Sequence, residues 1–158
     1  MVSRWADVAL LCLVGLVPAR RTAAAQTAAE LGAVAMATAS DPALVAVGAY
    51  GGVRTSLRTR VSAAALVGVS DEEAAWRGEL LAHFLLNPTR LRGAGVYGAG
   101  GIALVGGPVD QSYIVLTLGL EGRPGAASGW FVEAGVGGGA RVAAGYRWRR
   151  IPAGWQGF

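Results

Sequence analysis

Residues 129–150 read GWFVEAGVGGGARVAAGYRWRR, and every charge in the stretch before the closing Arg150 falls on one parity. Its even positions are Trp130, Val132, Ala134, Val136, Gly138, Ala140, Val142, Ala144, Tyr146 and Trp148 until Arg150 closes it, whereas Glu133, Arg141, Arg147 and Arg149 are odd. A helix would scatter those charges around its axis. A strand sends alternate side chains to opposite faces, so a period of two separates an apolar surface from a charged one. Gly137 to Gly139 supply a three-residue turn, which keeps the parity from one strand to the next.

Composition agrees with strands rather than helices. The 158 residues suit one domain; 53% are hydrophobic and only 15% charged, which excludes a disordered chain and is unusual for a soluble one. Mean hydropathy is +0.44. Most of the 25 glycines lie inside the apolar segments. In helices each would cost about 1 kcal/mol relative to alanine. The formal charge is +4 and all 14 basic residues are arginine, but they form no run interleaved with aromatics, so nucleic acid is not an expected partner.

The first residues, MVSRWADVALLCLVGLVPARRTAAAQ, join an early arginine to an apolar core from Val8 to Val17 and a small-residue boundary near Ala25. This pattern predicts a signal peptide over residues 1–25 and a mature domain over 26–158. The alternative is an uncleaved anchor; the lone Cys12 falls in this segment, so if it is cleaved the mature chain has no thiol for a disulfide or metal site.

Beyond the leader, turn-like clusters such as Ser40-Asp41-Pro42, Asn87-Pro88-Thr89 and Arg123-Pro124-Gly125 divide the chain into eight segments. These run over residues 30–39, 43–54, 57–70, 74–87, 91–105, 111–123, 129–136 and 140–150. Most reach or exceed the roughly nine to eleven residues of a tilted membrane strand. In the third, Leu57, Val61, Ala63, Ala65, Val67 and Val69 oppose Arg58, Arg60, Ser62 and Ser70; in the fourth, Trp76, Leu80, Phe84 and Leu86 oppose Arg77, Glu79 and His83. The sixth sets Ile114, Leu116, Leu118 and Leu120 against Tyr113, Thr117 and Glu121. The first and fifth are too rich in alanine and glycine to discriminate.

Two architectures fit such faces. A soluble barrel or sandwich buries the apolar face, whereas a membrane barrel turns it to lipid and keeps charge in its lumen. Trp76, Trp130, Tyr146 and Trp148 lie on the apolar parity near segment ends, where interfacial aromatic girdles belong. The leader, the eight alternating segments and the last segment AAGYRWR together resemble the small eight-stranded outer-membrane barrels of the OmpA and OmpX type. The resemblance covers about residues 30–150 as architecture; the tail IPAGWQGF and the lack of long loops depart from it. It implies an all-β, antiparallel up-and-down transmembrane β-barrel of about eight strands in the bacterial outer membrane. Its implied partners are outer-membrane lipid, lipopolysaccharide and, during biogenesis, the barrel-assembly machinery, which reads a terminal strand like Gly145-Tyr146-Arg147-Trp148.

The expected lumen network comprises Arg58, Arg60, Arg77, Glu79, His83, Arg92, Glu121, Glu133, Arg141 and Arg147, with Arg54 and Arg149 on the same parities. An eight-stranded barrel is narrow enough to be filled by its own side chains, so these charges should pair and plug it. Glu121 and Glu133 are each expected to contact an arginine of a neighbouring strand. His83, the sole histidine, shares its face with Glu79 and reads as a lumen hydrogen-bonding residue. Lipid A deacylases among small outer-membrane barrels instead turn histidine and serine to the membrane. Gly93, Gly95 and Gly98 match a dinucleotide-binding spacing but lack the strand before and the helix after it. No catalytic, cofactor or metal residues are therefore expected. The expected role is structural or envelope-maintaining; the alternatives are a secreted lipocalin-like carrier of an apolar ligand and a narrow ion or small-solute pore.

Overall fold

A computed structural model describes residues 27–108 and 110–152, so the leader reading, Cys12 and the last six residues lie outside it. Eight strands make a closed barrel in sequence order: β1 (Ala28–Ala39), β2 (Leu44–Arg54), β3 (Thr59–Ser70), β4 (Glu73–Leu85), β5 (Ala94–Gly106), β6 (Gln111–Gly122), β7 (Ser128–Val136) and β8 (Ala140–Arg150). Every strand is antiparallel to its neighbours, and β8 pairs with β1 from Ala29↔Arg150 to Ala39↔Ala140, so no edge is left open.

With an even strand count, β1 begins and β8 finishes at one end, here called the terminal end. The β2–β3 turn (55–58), β4–β5 loop (86–93) and β6–β7 loop (123–127) share it, so Pro88 and Pro124 lie together. The far end carries the shorter connections 40–43, 71–72, 107–110 and 137–139. The β3–β4 turn is a two-residue hairpin with positive φ at both Asp71 (52°) and Glu72 (64°), a backbone that glycine and asparagine adopt more readily. Gly138 (φ 83°) and Gly139 (φ 134°) occupy the corresponding left-handed positions between β7 and β8.

The barrel is apolar outside and mixed inside, where buried Val34, Met36, Tyr50, Leu66 and Phe131 pack beside the charged side chains. Leu31, Ile114 and Leu118 are 68%, 75% and 71% exposed, whereas Arg60 and Arg147 are 0% exposed. The outer face is also lopsided. Strands β4 to β6 display Leu80, Phe84, Ile102, Leu104, Leu116 and Leu120, while β8, β1 and β2 form a shallow strip around Ala35, Ala37, Val45, Val142 and Ala144. Trp76 stands on the outer face near the far end, and Trp130, Tyr146 and Trp148 near the terminal end. The Trp76 and Trp130 rings lie over Gly106 and Gly122 on the adjoining strands, where a side chain would collide with them. This cross-strand cover shields glycine backbone that would otherwise be bare.

Candidate functional site in the barrel interior

Six arginines (Arg54, Arg60, Arg77, Arg141, Arg147, Arg149) and four glutamates (Glu30, Glu79, Glu121, Glu133) are buried in the lumen. They form two layers. Toward the terminal end, Glu30 and Glu121 sit among four guanidiniums. Arg54 Nε is 2.7 Å from Glu30 Oε1, Arg60 Nη1 3.0 Å from Glu121 Oε2, Arg147 Nη1 2.9 Å and Arg149 Nη2 3.2 Å from the same Glu121 oxygen. Toward the far end, Arg141 bridges Glu79 (2.8 Å) and Glu133 (2.9 Å), and Arg77 Nε meets Glu79 at 2.7 Å. Tyr97 joins the layers, its hydroxyl donating to Glu133 Oε1 (2.8 Å) and accepting from Arg147 Nη2 (3.3 Å).

The far layer is balanced, two arginines to two glutamates; the terminal layer holds four to two. Backbone carbonyls and ring faces take up the excess. Arg54 donates to the carbonyls of Pro88 (3.3 Å) and Pro124 (2.9 Å), and Arg149 to that of Ala126 (3.0 Å). The Arg147 guanidinium lies 4.2 Å from the Phe131 ring centroid, and Arg60 5.0 Å from that of Tyr97. Both are cation–π distances. Glycine makes room for these rings: a side chain at Gly119 would strike Tyr97, and one at Gly145 would strike Phe131.

The loops that offer these carbonyls brace each other. Arg123 N–H donates to Gly93 O (2.8 Å) and Gly125 N–H to Arg90 O (2.9 Å). Together they cover the terminal end. Among the described residues, the interior holds a cavity of about 20 Å³ beside Ser62, His83 and Glu133, and one of about 40 Å³ at the far mouth beside Thr38 and Arg77. Voids of that size hold one or two waters rather than a file of solute.

His83 lies in the lumen with its ring between strands' side chains. Its Nε2 is 2.7 Å from Ser62 Oγ, and its Nδ1 is 3.0 Å from Arg60 Nη2. A guanidinium can only donate, so Nδ1 accepts and Nε2 carries the proton toward serine. This is the reverse of a catalytic dyad, in which a carboxylate orients Nδ1–H and leaves Nε2 free to take the serine proton. In this arrangement His83 cannot act as a base toward Ser62.

Of the ten charges expected inside, the structure brings together Arg60, Arg77, Glu79, His83, Glu121, Glu133, Arg141 and Arg147. Arg58 and Arg92 are corrections: both are exposed in terminal-end connections. Ser56 Oγ accepts from the Arg58 and Thr59 amides, holding residues 56–58 in a turn, so β3 starts at Thr59 instead of Leu57. Gly93, at φ 74°, ends the loop that carries Arg92, and β5 begins at Ala94. Parity assigns a face only where the chain is in the ladder. Glu121 also departs from expectation, because its partners Arg54, Arg60, Arg147 and Arg149 reach it across the lumen from β2, β3 and β8, none of them paired with β6. Glu133 does meet Arg141 of neighbouring β8. Sequence reasoning missed Glu30, whose signal was its contrast with Leu31 and its shared parity with Thr38.

A closed, eight-stranded, up-and-down barrel with apolar outer and charged inner faces is the architecture of small outer-membrane barrels. Among solved structures, this chain is similar to the N-terminal β-barrel domain of Pseudomonas aeruginosa OprF, with a TM-score of 0.64 over 78% of this chain and 97% of that one. At 13% identity the likeness is one of fold. No protein-family model and no curated protein sequence matches the chain.

Proposed function

We propose that the chain is an integral barrel of the bacterial outer membrane with a structural or envelope-maintaining role, its lumen plugged by paired arginine and glutamate. The inversion of polarity carries this reading. A soluble carrier of an apolar ligand needs an apolar cavity, whereas here Arg60 and Arg147 fill the interior and Ile114 and Leu118 face outward. Outer-membrane lipid and lipopolysaccharide then surround the apolar band, and the assembly machinery reads β8. The role proposed is not enzymatic: among the described residues, His83 accepts from Arg60 and donates toward Ser62, and so is not placed to take the serine proton.

Membrane fractionation with gel mobility before and after boiling tests the reading. The expected result is a membrane-bound protein whose unboiled form migrates faster than the boiled form. A soluble protein with no such shift would overturn it.

A further inference from the structure

Charge on the two rims of the barrel is completely segregated. The terminal end exposes Arg58, Arg90, Arg92, Arg123 and Arg150 and, among the described residues, no acid. The far end exposes Asp41, Asp71, Glu72, Glu73 and Asp110 and, among the described residues, no base. Strands of this length hold the rims roughly 25–30 Å apart. The screening length at physiological salt is about 8 Å, so neither rim compensates the other.

None of the five rim arginines makes an ion pair among the described residues. Arg90 donates one hydrogen bond, from Nη1 to Ala94 O at 2.8 Å, and keeps its other donors. Beneath the rim lies the lumen layer with its own cationic excess, which adds to the positive field rather than opposing it. The rim is thus a set of exposed cations with donors to spare and, among the described residues, no acid beside them. Arg150 gives the depth. It follows Tyr146 and Trp148 on the same outward parity, one step beyond the aromatic girdle, where a lipid phosphate would lie. Guanidinium forks match phosphate oxygens two at a time.

We propose that this arginine crown binds the phosphate headgroups of anionic phospholipids in the leaflet from which both chain termini emerge. The docking rests on the membrane reading above, and fixes which rim meets that leaflet: the acidic rim would be repelled by the same headgroups.

The test uses the full chain refolded into vesicles of phosphatidylcholine alone or mixed with phosphatidylglycerol, with trace spin-labelled lipid of either kind. Electron spin resonance then measures how much of each label is immobilised at the protein surface. The expected result is roughly fivefold stronger association of phosphatidylglycerol, lost at high salt and lost in R58Q/R90Q/R92Q/R123Q/R150Q. The acidic-rim variant D41N/D71N/E72Q/E73Q/D110N should keep the preference. Inorganic phosphate added to phosphatidylcholine vesicles should not raise the melting temperature. Equal association of both lipids in the unmodified chain, a preference surviving the five substitutions, or stabilisation by free phosphate alone would each overturn the proposal. Absence of the heat-dependent gel shift in both vesicle types would instead overturn the membrane reading and the docking with it.

Discussion

Glu30 and Glu121 hold four buried guanidiniums in place, and they are not interchangeable with surface acids. Removing one charge leaves four arginines facing a single carboxylate in a confined, water-poor space, where an uncompensated charge is far more costly than in solvent. Glu121→Gln should therefore lower stability by about 3–5 kcal/mol in urea titrations of the vesicle-inserted protein. Glu72→Gln, on the exposed far rim, should change it by no more than about 0.5 kcal/mol. Equal effects would mean that the terminal layer is solvated rather than sealed. Thr117 makes the complementary point: its Oγ1 is buried with no protein partner among the described residues, so Thr117→Val removes no protein hydrogen bond and should be neutral or slightly stabilising in the same titration.

Along a strand, face matters more than residue type. Leu116, next to Thr117 on β6, is 58% exposed on the outer surface and pairs laterally with Gly100 and Val136. Leu116→Arg should cost about 2–4 kcal/mol near the bilayer midplane, and a negligible cost would put that face in water. The β3–β4 hairpin offers the opposite sign. Asp71 and Glu72 both occupy left-handed backbone, so replacing the pair by Asn-Gly should stabilise by about 1–2 kcal/mol, seen as a higher urea midpoint with an unchanged slope. All eight segments were legible from the turn clusters that bound them, and six also from alternation that survives in the apolar residues themselves, as in Ile114, Leu116, Leu118 and Leu120. Strand ends were less so, since Ser56 and Gly93 remove Leu57 and Leu91 from the ladder by hydrogen bonding and backbone geometry that parity does not encode. Glu30 escaped because alanine is silent about its surroundings. The partners of Glu121 escaped because closure, rather than adjacency in the sheet, brings β2, β3 and β8 within its reach.

For the barrel as a unit, two charge layers, a pair of interlocked loops and cavities of about 20 and 40 Å³ amount to a closed interior. Planar-bilayer recordings of the unmodified protein should show no steady conductance, and a large, persistent current would replace the plug with a pore. The seam between β1 and β8 has a further consequence. It joins residues more than a hundred positions apart, such as Ala29 and Arg150, so it can be sewn only after the last strand has left the ribosome. Contacts this distant in sequence form slowly. Until they form, Arg147 and Arg149 of β8 lack Glu30 of β1, and a half-curled sheet entering hydrocarbon would drag naked guanidiniums and unpaired amides with it. On the proposed membrane reading, insertion before closure would carry Arg147 and Arg149 into hydrocarbon with Glu121 but without Glu30, which sets the order of those two steps against premature entry.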